Sequence, residues 1–141
     1  MKHRLFALIG MSIAVAVIAG PGLADRFRCD FSNALGRSPI ADSMVIDVQG
    51  GLYATVLDDN IKAAHGKPVE AEIDFATRKA YHLKWVVRNH PIPPPFRAGL
   101  GSSSIIRYKA QFQRQTGRIK VNAVTNYDIF YAQGTCKPIS P

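Results

Sequence analysis

Ile105-Ile-Arg-Tyr-Lys-Ala-Gln-Phe-Gln113 and Arg118-Ile-Lys-Val-Asn-Ala-Val124, separated by Arg114-Gln-Thr-Gly117, are the stretch on which the fold turns. In the first segment Ile106, Tyr108, Ala110 and Phe112 alternate with Arg107, Lys109, Gln111 and Gln113. In the second, Ile119, Val121 and Ala123 alternate with Arg118, Lys120 and Asn122. Successive side chains of a strand leave opposite faces of a sheet, so a period of two puts one set on a core and the other in water. Gly117 suits the left-handed residue that closes a short hairpin loop. The two segments predict an antiparallel hairpin.

The same period runs upstream. Val69, Ala71, Ile73 and Phe75 alternate with Glu70, Glu72 and Asp74, a polar Thr77-Arg78-Lys79 turn follows, and Tyr81, Leu83, Trp85 and Val87 return as a buried row. Met44, Ile46 and Val48 form another inward row, Gly50-Gly51 marks a turn, and Leu52 to Leu57 is β-branched and aromatic enough to return as a strand. Phe27 to Phe31 reads as a short opening strand. One helix is expected, Asp59 to His65, with an acidic start, Ala63 and Ala64 inside, Gly66 as its stop and Pro68 beyond. Short strands between turn signals, with almost no helix, predict an all-β domain. Its form is an antiparallel sandwich or half-open barrel of about seven to eight strands, with at most one short helix and one disulfide.

Before this domain stands a different kind of sequence. Lys2, His3 and Arg4 precede an apolar run from Leu5 to Ala19, Pro21 and Gly22 break it, and Gly22-Leu23-Ala24 is a small-x-small cleavage pattern. Residues 1–24 therefore read as a secretory signal and 25–141 as one secreted domain. The run of 15 residues is shorter than the roughly 20 that span a bilayer, so a retained transmembrane anchor is the weaker reading. A periplasmic or secreted protein is expected. With Lys2 and Arg4 removed, the 18 basic side chains fall to 16 against 10 acidic, a net of +6.

Cys29 and Cys136 lie near the two ends of that domain and are bound for an oxidising compartment. Only one intramolecular pairing exists, and it would fasten the ends together. A metal pair or a catalytic thiol lacks a second ligand or a neighbouring His.

Phe27-Arg28-Cys29, Tyr108-Lys-Ala-Gln-Phe112, Thr116-Gly117-Arg118, Val121, Tyr127 and Gly134-Thr135-Cys136 together resemble small exported proteins of Gram-negative bacteria. The likeness runs loosely over most of the secreted part. It implies an envelope compartment and carries over no active site.

Two surfaces are candidates for binding. Arg107, Lys109, Arg118 and Lys120, with Arg114 at the turn, fall on the outer face of the hairpin with no carboxylate among them. Such a patch attracts anionic lipid headgroups, acidic polysaccharide or nucleic acid. The plainer explanation is a solvated face that discourages edge pairing, neutralised by Glu70, Glu72 and Asp74 on a neighbouring strand. Nucleic acid is the weakest of the three partners, since the patch lacks interleaved exposed aromatics. The second surface is the long connection from Asn89 to Ser103. There His90, Pro93, Pro94, Pro95, Phe96 and Arg97 would form a stiff ledge for a partner groove. Proline also serves simply to hold a long loop cheaply in entropy.

Catalytic spacings are missing around the histidines. A hydrolase would need Ser102 or Ser103 activated by His90, which itself reads as a surface-loop residue. Gly99 to Ser104 has neither the lysine nor the following helix of a phosphate-binding loop. Asp58, Asp59 and Asn60 read as helix capping more simply than as a cation site. No cofactor or metal is implied. The expectation is a non-enzymatic binding or inhibitor-type module that contacts an envelope protein or an anionic envelope polymer. The alternatives are a half-barrel carrier with an apolar cavity near Trp85, Tyr108 and Phe112, and a small hydrolase.

Overall fold

In the computed structural model, residues 25–32, 38–90 and 105–140 are described. The hairpin is present as read: β6 (Ile105–Gln113) pairs with β7 (Arg118–Val124), Lys109 opposite Asn122 and Phe112 opposite Ile119. Gly117 closes its loop at φ 70°, and its N–H donates to the Gln113 carbonyl at 2.9 Å. The other strands are β1 (Asp25–Phe31), β2 (Ser43–Gln49), β3 (Tyr53–Asp58), β4 (Val69–Ala76), β5 (Ala80–Arg88) and β8 (Ile129–Pro138). Each pairs antiparallel with the next, and β8 returns to pair with β1. The sheet is thus a closed eight-stranded barrel, with no free first or last strand. Residues 1–24, read as the export signal, lie outside the described part.

Closure happens at the cysteines. Cys29 and Cys136 stand directly opposite each other on β1 and β8 and are joined by a disulfide. The neighbouring pair puts Gly134 opposite Phe31. A Cβ on Gly134 would be driven into the Asp30 carbonyl and the Phe31 ring, so glycine is what allows the two strands to approach here.

The inward rows are those that alternation assigns: Met44, Ile46 and Val48; Tyr81, Leu83, Trp85 and Val87; Ile106, Tyr108, Ala110 and Phe112; Ile119, Val121 and Ala123. Eight strands leave an interior just wide enough for side chains to fill. Apolar residues face in and charged ones out, the reverse of a barrel that spans a membrane. Among the described residues, no helix is long and apolar enough to cross a bilayer.

One strand departs from its pattern. Phe75 was expected inward with Val69, Ala71 and Ile73. Instead the register of β4 against β5 shifts between Ile73 and Phe75, leaving Asp74 as an extra residue. This bulge turns Phe75 out, 59% exposed, with its ring edge-on to His82 at 5.8 Å.

The helix α1 (Asp59–His65) matches its expected bounds. The Asp58 carboxylate accepts the Ile61 N–H at 2.7 Å, and Gly66 ends the helix at φ 70°. Asp58 to Asn60 therefore act as the cap and first turn. The topology puts α1, residues 38–42 and the 125–128 turn at one rim. Asp25 and the turns 50–52, 77–79 and 114–117 lie at the other.

Candidate functional site

The register of β5 to β8 fixes which outward side chains are neighbours. Val86, Arg107, Val124 and Ile129 make one row across the four strands, and Lys84, Lys109, Asn122 and Tyr131 the next. Lys120 lies a step further on, opposite Gln111, and Arg118 opposite Thr135 near the far rim. The four expected cations thus share one wall. They form a diagonal about 20 Å long from Arg107 to Arg118 at ordinary strand rise.

The wall is larger than the hairpin. Strands β5 to β8 contain Lys84, Arg88, Arg107, Lys109, Arg118, Lys120 and Lys137 and no carboxylate. Nine of the ten acidic residues fall between Asp25 and Asp74, and the tenth, Asp128, is in the turn before β8. The barrel is electrically two-sided.

β5 lies between β4 and β6, so Glu70, Glu72 and Asp74 are not on a strand that adjoins the hairpin, but the Asp74 charge acts on Lys109 across β5. Asp74, projected by the bulge, reaches Lys84 at 2.6 Å. Its hydrogen bond from Lys84 holds the Asp74 carboxyl below the usual carboxylate range and raises the Lys84 ammonium. Lys84 stands directly across from Lys109, so this ion pair removes a like-charge opposition and leaves Lys109 as the outward cation of its row.

Arg114 leaves the wall. Its guanidinium donates to the Asp25 carboxylate at 3.2 Å and lies over the Tyr81 ring, 4.7 Å from the centroid. Tyr81 Oη also reaches Asp25, at 3.5 Å. Arg114 closes the rim at the barrel's start.

Of the proline connection, residues 91–104 lie outside those described, including Pro93, Pro94, Pro95, Phe96 and Arg97 as well as Ser102 and Ser103. His90 is described and corrects its reading as a surface residue: it is buried. Asn89, at φ 55°, turns the chain so that His90 Nε2 lies 3.1 Å from the Pro39 carbonyl. A carbonyl only accepts, so Nε2 carries the proton. Tyr108 Oη at 3.0 Å and Asn60 Nδ2 at 3.1 Å donate to the same oxygen. Burial, and then the charge of Asp58, pushes the Tyr108 phenol well above its ordinary range. Three donors on one carbonyl are a structural tie between α1, β6 and the two connections.

The rings expected to line a carrier's cavity pack on each other. Trp85 stacks on Tyr108 at 5.1 Å with planes 1° apart, and Phe112 meets Phe27 edge-on at 4.7 Å. A concavity of about 770 Å³ lies over β2 to β5, among Asp47, Tyr53, Glu70, Glu72, Lys84 and Val86; Trp85 is part of its lining, Tyr108 and Phe112 are not. Among the described residues, no three His, Cys, Asp or Glu side chains gather to hold a metal ion.

No protein family, no curated protein and no solved structure matches this chain.

Sequence reasoning missed the apolar part of the wall. Val86, Tyr127, Ile129 and Tyr131 are exposed on β5 and the β7–β8 hairpin, so the basic face that was expected to lack aromatics has two beside it. The extent of the basic part had a signal, since from Phe75 to Tyr127 the chain has ten Lys and Arg and no acid; the apolar part had none.

Proposed function

We propose that this chain is a non-enzymatic binding module of the bacterial envelope, and that its β5–β8 wall holds an anionic partner. What carries the reading is the segregation of charge: four strands in succession bear cations without one carboxylate. Such a surface sustains a positive potential that concentrates polyanions and speeds their encounter. Protection of a sheet edge does not account for these cations, since β6 and β7 each have a partner strand on both sides. The Cys29–Cys136 bond fits export, because disulfides persist in oxidising compartments.

The test is retention of the disulfide-bonded protein on heparin, a soluble polyanion, across a salt series. Binding is expected to weaken steeply with salt. Arg107→Glu with Lys109→Glu is expected to weaken it by roughly tenfold or more at fixed salt. Failure to bind, or binding indifferent to both salt and the double substitution, overturns the proposal.

A further inference from the structure

We propose that the anionic partner is a lipid bilayer with anionic headgroups, met by the end of the β6–β8 face that includes the β7–β8 hairpin tip. This rests on the preceding reading and names its partner class. The observation is a mixture of cationic and apolar side chains on adjacent rows. Ile129 lies in the same row as Arg107, and Tyr131 in the row of Lys109, on the face centred on β7. Ile129 is 49% exposed, Tyr131 69% and Tyr127, in the turn, 72%.

A polysaccharide or an acidic protein explains the cations but leaves Ile129 without a use, since an aliphatic side chain gains little against a hydroxyl-rich or charged surface. A membrane interface serves both kinds. Lys and Arg meet anionic headgroups. Tyrosine suits the headgroup depth, with its ring towards the acyl chains and its hydroxyl towards water. Aliphatic side chains beside them enter the acyl boundary, as the apolar face of an interfacial helix does. The acid at this tip is locked into the turn: Asp128 Oδ1 accepts the Ile129 N–H at 2.7 Å.

Sedimentation with phosphatidylcholine vesicles, with and without phosphatidylglycerol, tests this beside the heparin measurement. Binding is expected only where phosphatidylglycerol is present. Ile129→Ser with Tyr131→Ser is expected to lower vesicle partitioning roughly tenfold while leaving heparin retention unchanged. Arg107→Glu with Lys109→Glu lowers both. Each variant is used at an unchanged Tm, and Tyr127→Ser replaces the apolar pair if that pair shifts it. Heparin retention without vesicle binding overturns the lipid assignment and leaves the binding module standing. Loss of neither or of both ligands with the apolar pair also overturns the lipid assignment. An unsubstituted protein that binds neither ligand overturns both proposals.

Discussion

Gly117 and Cys136 meet where the β6–β7 loop touches the closing seam of the barrel. The Cys136 N–H donates to the Gly117 carbonyl at 2.6 Å, and a Cβ on Gly117 would stand 2.7 Å from the Cys136 oxygen. The glycine thus answers two demands: a left-handed turn and room for the strand that bears the disulfide. Gly50 meets only the first, at φ 60° with nothing within 4 Å of its missing Cβ. Gly50→Ala is expected to cost about 1 kcal/mol for backbone conformation alone. Gly117→Ala should cost about 1–2 kcal/mol more, for the clash and the strained hydrogen bond. Urea midpoints compare the two; equal losses would show that the contact with Cys136 carries no energy.

Cys29 and Cys136 are 107 residues apart in sequence and face each other across the seam. A bridge closing a loop of this length is worth about 4–5 kcal/mol in the chain-entropy model. Cys29→Ala with Cys136→Ala is expected to lower the denaturation midpoint accordingly. Amide protection should be lost first in β1 and β8, the strands that lose their tie. Loss of protection spread evenly over all eight strands would contradict this placement.

The strands were legible where apolar residues fill one face without interruption, as in β2, β5, β6 and β7. The departures have physical reasons. Nothing in Glu70 to Phe75 marks Asp74 as surplus, because the bulge is set by the register of β5 and the ion pair with Lys84. His90 looks like a loop residue until the Pro39 carbonyl, 51 residues away in sequence, is seen to receive it. In β8 the inward positions include Ala132, Gly134 and Cys136. Small residues there weaken the alternation that would have assigned Ile129 and Tyr131 to the outer face. Closure of the sheet was foreshadowed only by the cysteines at its two ends.

Arg114 separates the binding wall from the rim. Its bond to Asp25 is more than a third exposed on both sides, so solvent screening leaves it a small contribution. Arg114→Ala is expected to cost about 1 kcal/mol or less, part of it from the contact with Tyr81. Heparin affinity should change by less than about twofold, whereas Lys120→Ala should lower it measurably. Titration of each variant on heparin at one salt concentration checks this. An Arg114→Ala loss as large as that of Lys120→Ala would return Arg114 to the binding surface.

Asp58 places a carboxylate in a buried helix cap, where geometry and charge pull in opposite directions. Burial raises its pKa above the ordinary 3.8, against the lowering effect of the Ile61 and Asn60 N–H groups, and the nearby charge of Asp59 adds to the rise. A folded value above the unfolded one means that the folded state holds the proton more tightly. Stability therefore falls as pH climbs from 3.8 through the raised value, and the deficit stays constant beyond it. Asn caps a helix about as well as Asp and carries no charge, so Asp58→Asn is expected to stabilise the protein at pH 7. The gain should vanish below pH 3.8, where the wild-type group is protonated in both states. Asp58→Ala removes the acceptor and should cost about 1 kcal/mol below pH 3.8, and less at pH 7, where it too removes the buried charge. Thermal melts of both variants across pH decide the matter: if Asp58→Asn loses as much as Asp58→Ala at pH 7, the negative charge itself holds the start of α1.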